Sequence, residues 1–173
     1  HFGSTHENKS NYYGVSKKIS FNIIKDFLKI NKIPLHKYTI PNIYGCYYKP
    51  YHNSFVSTLI YEIVKNDNLK KNKNIDKEKE LELIFVNDLI KIIFKNINKF
   101  KIKKYIYKNF FIRIKGYKIT IGKIIQKIKK LVDKKNKNIF SYSGIFEKNL
   151  LNIILSYKFL LGTCINKPIV NKD

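Results

Sequence analysis

Apolar residues recur at helical spacing in five stretches of the 173-residue chain, and shorter β-branched and aromatic runs lie between them. In the first stretch, Ser10 to Ile30, the residues Ile19, Ile23, Ile24, Phe27 and Leu28 share one side. Asn31 and Pro34 stand just past its end, so a helix is predicted here with that side turned to a core. Ser54 to Val64 predicts a second amphipathic helix, and Asn87-Asp88 predicts the cap of a third running to about Asn98. Thr120 predicts the cap of a fourth, from Ile121 to about Val132, with Ile121, Ile124, Ile125, Ile128 and Leu131 on one side. Phe146 to Tyr157 predicts the last. Strands are predicted over Leu35–Ile40, stopped by Pro41, over Leu81–Val86 and over Tyr105–Ile114. His1 to Thr5 reads as the end of a strand running into a loop. The polar runs Asn66–Lys79 and Asp133–Asn138 predict solvated loops, and the tail after Leu161 predicts no anchored element.

A helix, a short loop and a strand in succession, as over Ser10–Ile40, make half of a βαβ crossover and imply an α/β fold with a parallel sheet. Asn42 then falls just past a strand's carboxyl end, where open α/β sheets bind ligands. The same residue type also caps turns, and Gly45 follows close behind.

A hydrophobic content of 44% is enough for a core. The chain contains no Met, and its opening residues read as the middle of a domain, so a piece of a longer protein is expected. No apolar run approaches the roughly 20 residues of a membrane span. Cys46 and Cys164 are far apart, and His1, His6, His36 and His52 lack ligand spacing; neither a disulfide framework nor a metal site is expected, and the setting expected is cytoplasmic.

The formal charge of +23 points at first to a polyanion partner. Arg113, however, is the only arginine, and readers of phosphates and bases favour the guanidinium fork. With Ala and Trp absent and Lys, Asn and Ile abundant, the composition reads as AT-rich codon usage. No specific nucleic-acid partner is expected, only salt-sensitive adhesion.

Candidate chemistry begins at Tyr13-Gly14-Val15-Ser16-Lys17. A phenol and an ammonium four residues apart share a helix face, and the charge lowers the cost of moving the phenolic proton. In a chain with 13 Tyr and 35 Lys and Arg, such a pair also arises by chance, so its surroundings decide.

Those surroundings resemble a known family. Asn11-Tyr12-Tyr13-Gly14-Val15-Ser16-Lys17 is similar to the Asn-Pro-Tyr-Gly-x-Ser-Lys segment of the extended short-chain dehydrogenase/reductases, with Tyr12 where proline is usual. Ser4-Thr5 matches their upstream Ser/Thr pair, and Ile40-Pro41-Asn42-Ile43-Tyr44-Gly45 resembles their Pro-Asn-aromatic-Gly segment. Lys49-Pro50-Tyr51-His52-Asn53-Ser54-Phe55-Val56 resembles a narrower group, the capsule and O-antigen reductases that make UDP-N-acetyl-L-fucosamine. The likeness continues through Leu83–Asp88 and Tyr117–Gly122 to Phe146–Leu150 and Leu155–Tyr157.

The resemblance implies the C-terminal half of a Rossmann-like parallel-sheet domain plus a smaller α/β substrate lobe. Residues 1–45 would be the remainder of the dinucleotide-binding domain; 46–173 would be mainly the lobe, with about 81–98 returning to the Rossmann part. It implies reduction of a UDP-linked 4-keto-6-deoxy-amino-sugar by NADPH, with NAD possible. Tyr13 would donate the proton, Lys17 would lower its pKa and hold the nicotinamide ribose, and Thr5, or Ser4 in a register one residue shifted, would hydrogen-bond the carbonyl. Pro41 would flank the nicotinamide, and Asn42, Lys49, Asn53 and Ser54 would face the nucleotide-sugar. A UDP-sugar 4-epimerase or a 4,6-dehydratase shares the Tyr-Lys pair; for the latter, Glu7, two residues past Thr5, stands where an acid is wanted. A noncatalytic remnant that adheres to polyanions is the third possibility. Thr39 and Asn87 depart from the family's usual arginine and acid. No Gly-x-Gly-x-x-Gly or Gly-x-x-Gly-x-x-Gly occurs in the 173 residues, so this piece alone is expected to bind NADPH poorly and turn over little. Family membership would imply a homodimer.

Overall fold

Three short strands, β1 (Phe2–Ser4), β2 (His36–Ile40) and β5 (Phe110–Arg113), pair in parallel in the order β1-β2-β5. A second three-stranded sheet has the order β3 (Asn42–Tyr44), β4 (Glu80–Phe85), β6 (Tyr117–Thr120). The described helices are α1 (Tyr12–Ile30), α2 (Phe55–Val64), α3 (Val86–Phe100), α4 (Ile121–Asn136) and α5 (Ile145–Leu160). The computed structural model describes residues 1–52, 54–65, 75–100 and 108–160. The chain divides into two compact units, His1–Ile43 with Glu80–Ile119 and Tyr44–Lys79 with Thr120–Asp173.

The first unit carries the parallel sheet. Its core is Tyr38, Ile40, Ile84, Leu89 and Ile114, with Ile43, Ile92, Ile93 and Ile112 packed against them. The register Ser4↔Ile40 and Thr39↔Arg113 brings the carboxyl ends of all three strands to one edge. Helix α1 starts where the Asn11 side chain accepts the Gly14 N–H at 2.8 Å, one residue past the predicted Ser10. It ends at Asn31, with Lys32 in the left-handed region (φ 56°).

Two expectations for this unit need correction. The Ile19, Ile23 and Phe27 side of α1 is exposed, and Ile24 and Leu28 are half-buried. The helix turns its Gly14 and Phe21 side inward instead: Gly14 is buried, and Phe21 meets Phe111 edge-on at 6.5 Å between centroids. Gly14 decides this, since any Cβ there would lie 2.6 Å from the His6 carbonyl oxygen; the missing side chain lets the loop close onto that face. Asn87 and Asp88 do not cap α3, which begins at Val86 directly after β4; they occupy its first turn, where Asp88 complements the helix dipole. Of the strand predicted over Tyr105–Ile114, Phe110–Arg113 is a strand and residues 105–107 lie outside the described ones.

The second unit packs α2, α4 and α5 on one another. Leu59, Ile60, Ile124, Ile128, Leu150 and Ile154 are fully buried among them. Helix α4 runs four residues past the predicted Val132. Asp133 does not stop it; Lys134 and Lys135 favour the last turn, and Asn138 (φ 57°) closes it while the Ile139 N–H reaches the Lys134 carbonyl at 2.8 Å. The predicted loop Asp133–Asn138 is therefore mostly helix. Of the Asn66–Lys79 run, residues 66–74 lie outside the described ones, as does the tail after residue 160. No described helix is long and apolar enough to cross a membrane.

Candidate active site at the carboxyl edge of the parallel sheet

Strand β1 delivers Ser4 and Thr5 to the carboxyl edge, and β2 delivers Pro41 and Asn42 beside them. The Thr5 N–H donates to the Ile40 carbonyl at 3.0 Å, which fixes the two strand ends against each other. The chain then loops from Thr5 into α1, whose first turns carry Tyr13 and Lys17. Tyr13 is half exposed, with the Lys17 Nζ 5.8 Å from its ring centroid and His6 edge-on at 6.4 Å. Thr5, Pro41, Asn42, Tyr13 and Lys17 thus belong to one end of one unit.

The smaller contacts are specific. The Ser4 hydroxyl accepts the His6 N–H at 3.1 Å, so Ser4 shapes the turn that follows it. Pro41 is buried. Asn42 is a strand residue, not a turn cap: its side-chain amide donates to the Glu82 carbonyl at 3.3 Å. The Glu82 carboxylate takes both guanidinium nitrogens of Arg113, at 3.1 and 2.6 Å, and the Gly116 N–H at 2.9 Å. The Arg113 hydrogen bond leads in holding the Glu82 carboxyl below its ordinary range. Thr39, which stands where the resembled family commonly has arginine, is the register partner of Arg113.

Three predicted residues lie in the second unit. Lys49 is exposed. Ser54 occupies the cap position of α2 without a cap bond from its side chain; its Oγ is buried and has no hydrogen-bond partner. Asn53 lies outside the described residues. Tyr47 and Tyr51, in the same loop, adopt φ of 65° and 62°, a strained setting for bulky side chains. Tyr51 donates its hydroxyl to the buried Glu62 at 3.2 Å, and the Tyr157 hydroxyl donates toward the Ser57 and Tyr48 carbonyls at 3.1 and 3.2 Å. Burial pushes the Tyr157 phenol above its ordinary value, so it stays a neutral donor. Among the described residues no three His, Cys, Asp or Glu gather as metal ligands do.

Among the ion pairs that sequence reasoning missed are Glu82–Arg113 and Lys37–Glu7. Glu82–Arg113 had a faint signal, an acid flanked by leucines in a strand and the only arginine of the chain. Lys37–Glu7, at 2.6 Å and almost buried, had none, because only the pairing of β1 with β2 brings residues 30 apart together.

No family model matches the chain, and no curated protein matches it. Solved structures do. The capsular polysaccharide assembling protein CapF from Staphylococcus aureus superposes with a TM-score of 0.74 at 23% identity, over 99% of this chain and 46% of that one. Bordetella bronchiseptica WbmF, solved with NAD+ and UDP, gives 0.67 at 16% identity, over 92% and 58%. The UDP-N-acetylglucosamine 4-epimerase from Bacillus cereus gives 0.62 at 13% identity, over 96% and 64%. The chain therefore spans between about half and two thirds of the length of these neighbours. Its fold is α/β and Rossmann-like, with a parallel sheet, as in these solved structures.

Proposed function

We propose that the chain is the proton-transfer and substrate part of an NAD(P)H-dependent reductase of a UDP-linked 4-keto-6-deoxy-amino-sugar, serving capsule or O-antigen precursor synthesis in the cytoplasm. What supports this most is that β1 and β2 end together, with the Thr5 N–H on the Ile40 carbonyl and Asn42 two residues on, and that the loop after Thr5 leads into the helix on which Lys17 Nζ lies 5.8 Å from the Tyr13 ring. Tyr13 donates its phenolic proton to the C4 carbonyl oxygen as the alcohol forms. Lys17 favours the phenolate left behind and holds the nicotinamide ribose hydroxyls. The Thr5 hydroxyl hydrogen-bonds the same oxygen, with Ser4 supporting the turn. Pro41 flanks the nicotinamide, and Asn42, Lys49, Asn53 and Ser54 take the nucleotide-sugar, the ammonium of Lys49 suiting a diphosphate. Bound NADPH, or NADH, supplies the hydride. Tyr13, Lys17 and Pro41 would hold its nicotinamide end, and no Gly-x-Gly-x-x-Gly turn for its pyrophosphate occurs in the 173 residues.

The test joins a glycine-rich Rossmann half upstream and follows NADPH oxidation with a UDP-4-keto-sugar. Tyr13→Phe is expected to lower kcat by about 10²- to 10⁴-fold with the fold retained. Unchanged turnover would remove Tyr13 from the mechanism. Titrating the 173-residue chain alone is expected to show weak NADPH binding; micromolar affinity would contradict the proposed division of the cofactor site. The likeness to a UDP-N-acetylglucosamine 4-epimerase supports a second reading with the same Tyr13–Lys17 pair, and interconversion of UDP-sugar epimers without net NADPH consumption would select it.

A homodimer would have a natural surface on α1. Tyr12, Val15, Ile19, Ile23, Phe27 and Ile30 are all exposed and fall within about 120° of its circumference. On a chain of charge +23 no lysine lies in that sector, and Asp26 is its one charge. Sedimentation at rising concentration, with Phe27→Lys as the disrupting variant, tests this.

A further inference from the structure

Glu7 offers both carboxylate oxygens inward, toward the start of the loop that carries Thr5. Oε1 accepts the Ser4 N–H at 3.0 Å, while the Glu7 N–H donates to the Ser4 carbonyl at 3.1 Å, a reciprocal pair closing the turn. Oε2 takes the Lys37 ammonium at 2.6 Å, with the two side chains 11% and 12% exposed. The same ammonium lies 3.6 Å from the centroid of Phe21, on the α1 face that packs against the sheet. Space for this comes from Gly3: a Cβ there would strike the Glu7 carboxylate and lie 2.9 Å from Lys37 Cε. One cation therefore touches the Thr5 loop through Glu7 and the Tyr13 helix through Phe21, from its own strand β2.

We propose that Glu7 and Lys37 are positioning residues, a clasp that sets the Ser4–Thr5 turn against α1 so that the Thr5 hydroxyl and the Tyr13 phenol meet one substrate oxygen. The use of the clasp rests on the reading that Thr5 and Tyr13 share that oxygen; its existence does not. The clasp also occupies Glu7, both of whose oxygens are taken, and leaves it unsuited to act as the acid of a dehydratase.

Amide hydrogen exchange of the whole chain, read residue by residue without substrate or cofactor, tests it. Glu7→Gln, Lys37→Met and Gly3→Ala, the last altering no charge, are each expected to speed exchange at Ser4 by about tenfold or more. Lys37→Arg keeps a cation on Glu7 and Phe21 and should restore the protection. The Phe110 amide, bonded to the Leu35 carbonyl at 2.9 Å in the same sheet, should keep its rate in all four variants. Unchanged exchange at Ser4 in Glu7→Gln and Gly3→Ala would overturn the clasp. So would equal acceleration at Ser4 and Phe110, which would mean general loosening of the unit. Failure of Tyr13→Phe to slow the joined enzyme would sink the reductase reading and leave the exchange result standing, so the two failures are separable.

Discussion

Helices α1 and α4 each carry five apolar residues at helical spacing, yet α4 buries all of its five while α1 leaves three more than half exposed. In α4, Ile124 and Ile128 are at 0% exposure between α2 and α5. In α1, Ile19, Ile23 and Phe27 stand at 54, 64 and 61%, and the helix is held through Gly14 and Phe21 on the other side. Periodicity gives the pitch of an element and a candidate face. Which face meets a neighbour depends on where the chain can approach closely, and on α1 a single missing Cβ settles that.

The sharpest break in this comparison is a cavity in the buried helix. Ile128→Ala should cost about 2–5 kcal/mol in chemical denaturation, the range for truncating a fully buried branched side chain. A smaller loss is expected from the approach that orients α1: Gly14→Ala drives a Cβ into backbone carbonyls, at about 1–3 kcal/mol. Smaller again is the tie between α4 and α5. Lys127 Nζ meets Glu147 Oε1 at 2.6 Å and the Ser143 N–H meets Oε2 at 2.9 Å, which together hold the Glu147 carboxyl down to about 2, the lysine contributing most. Since that pKa is lowered on folding, its stabilisation is complete above the ordinary carboxylate range near about 4.3 and fades as pH falls toward 2. With Lys127 partly exposed, about 1 kcal/mol should be lost over that interval in wild type and not in Glu147→Gln. The smallest effect belongs to the exposed stripe: Ile23→Ser in dilute protein should shift stability by no more than about 0.5 kcal/mol. A cost that grows with protein concentration would mean a second copy covers α1.

The long helices were legible because capping residues and a sustained period agree: Thr120 accepts the Lys123 N–H at 3.4 Å, and the five residues read onto the inner face of α4 all lie in the core. Strands β3 and β6 were not, since three or four residues carry no period and their pairing is decided by distant partners. At the candidate site, Thr5, Tyr13, Lys17 and Asn42 could be picked out because local spacing and motif mark them. The residues that hold the site in shape could not: Glu7 and Lys37 become neighbours only when β1 pairs with β2, and Glu82 and Arg113 meet from strands of different sheets, 31 residues apart.

Thr39 and Arg113 stand side by side on adjoining strands, and only the second has a charge to give the carboxylate of Glu82. The carboxylate that takes this charge also holds the Gly116 N–H, so a neutral side chain in place of Arg113 would slacken the turn after β5 along with the ion pair.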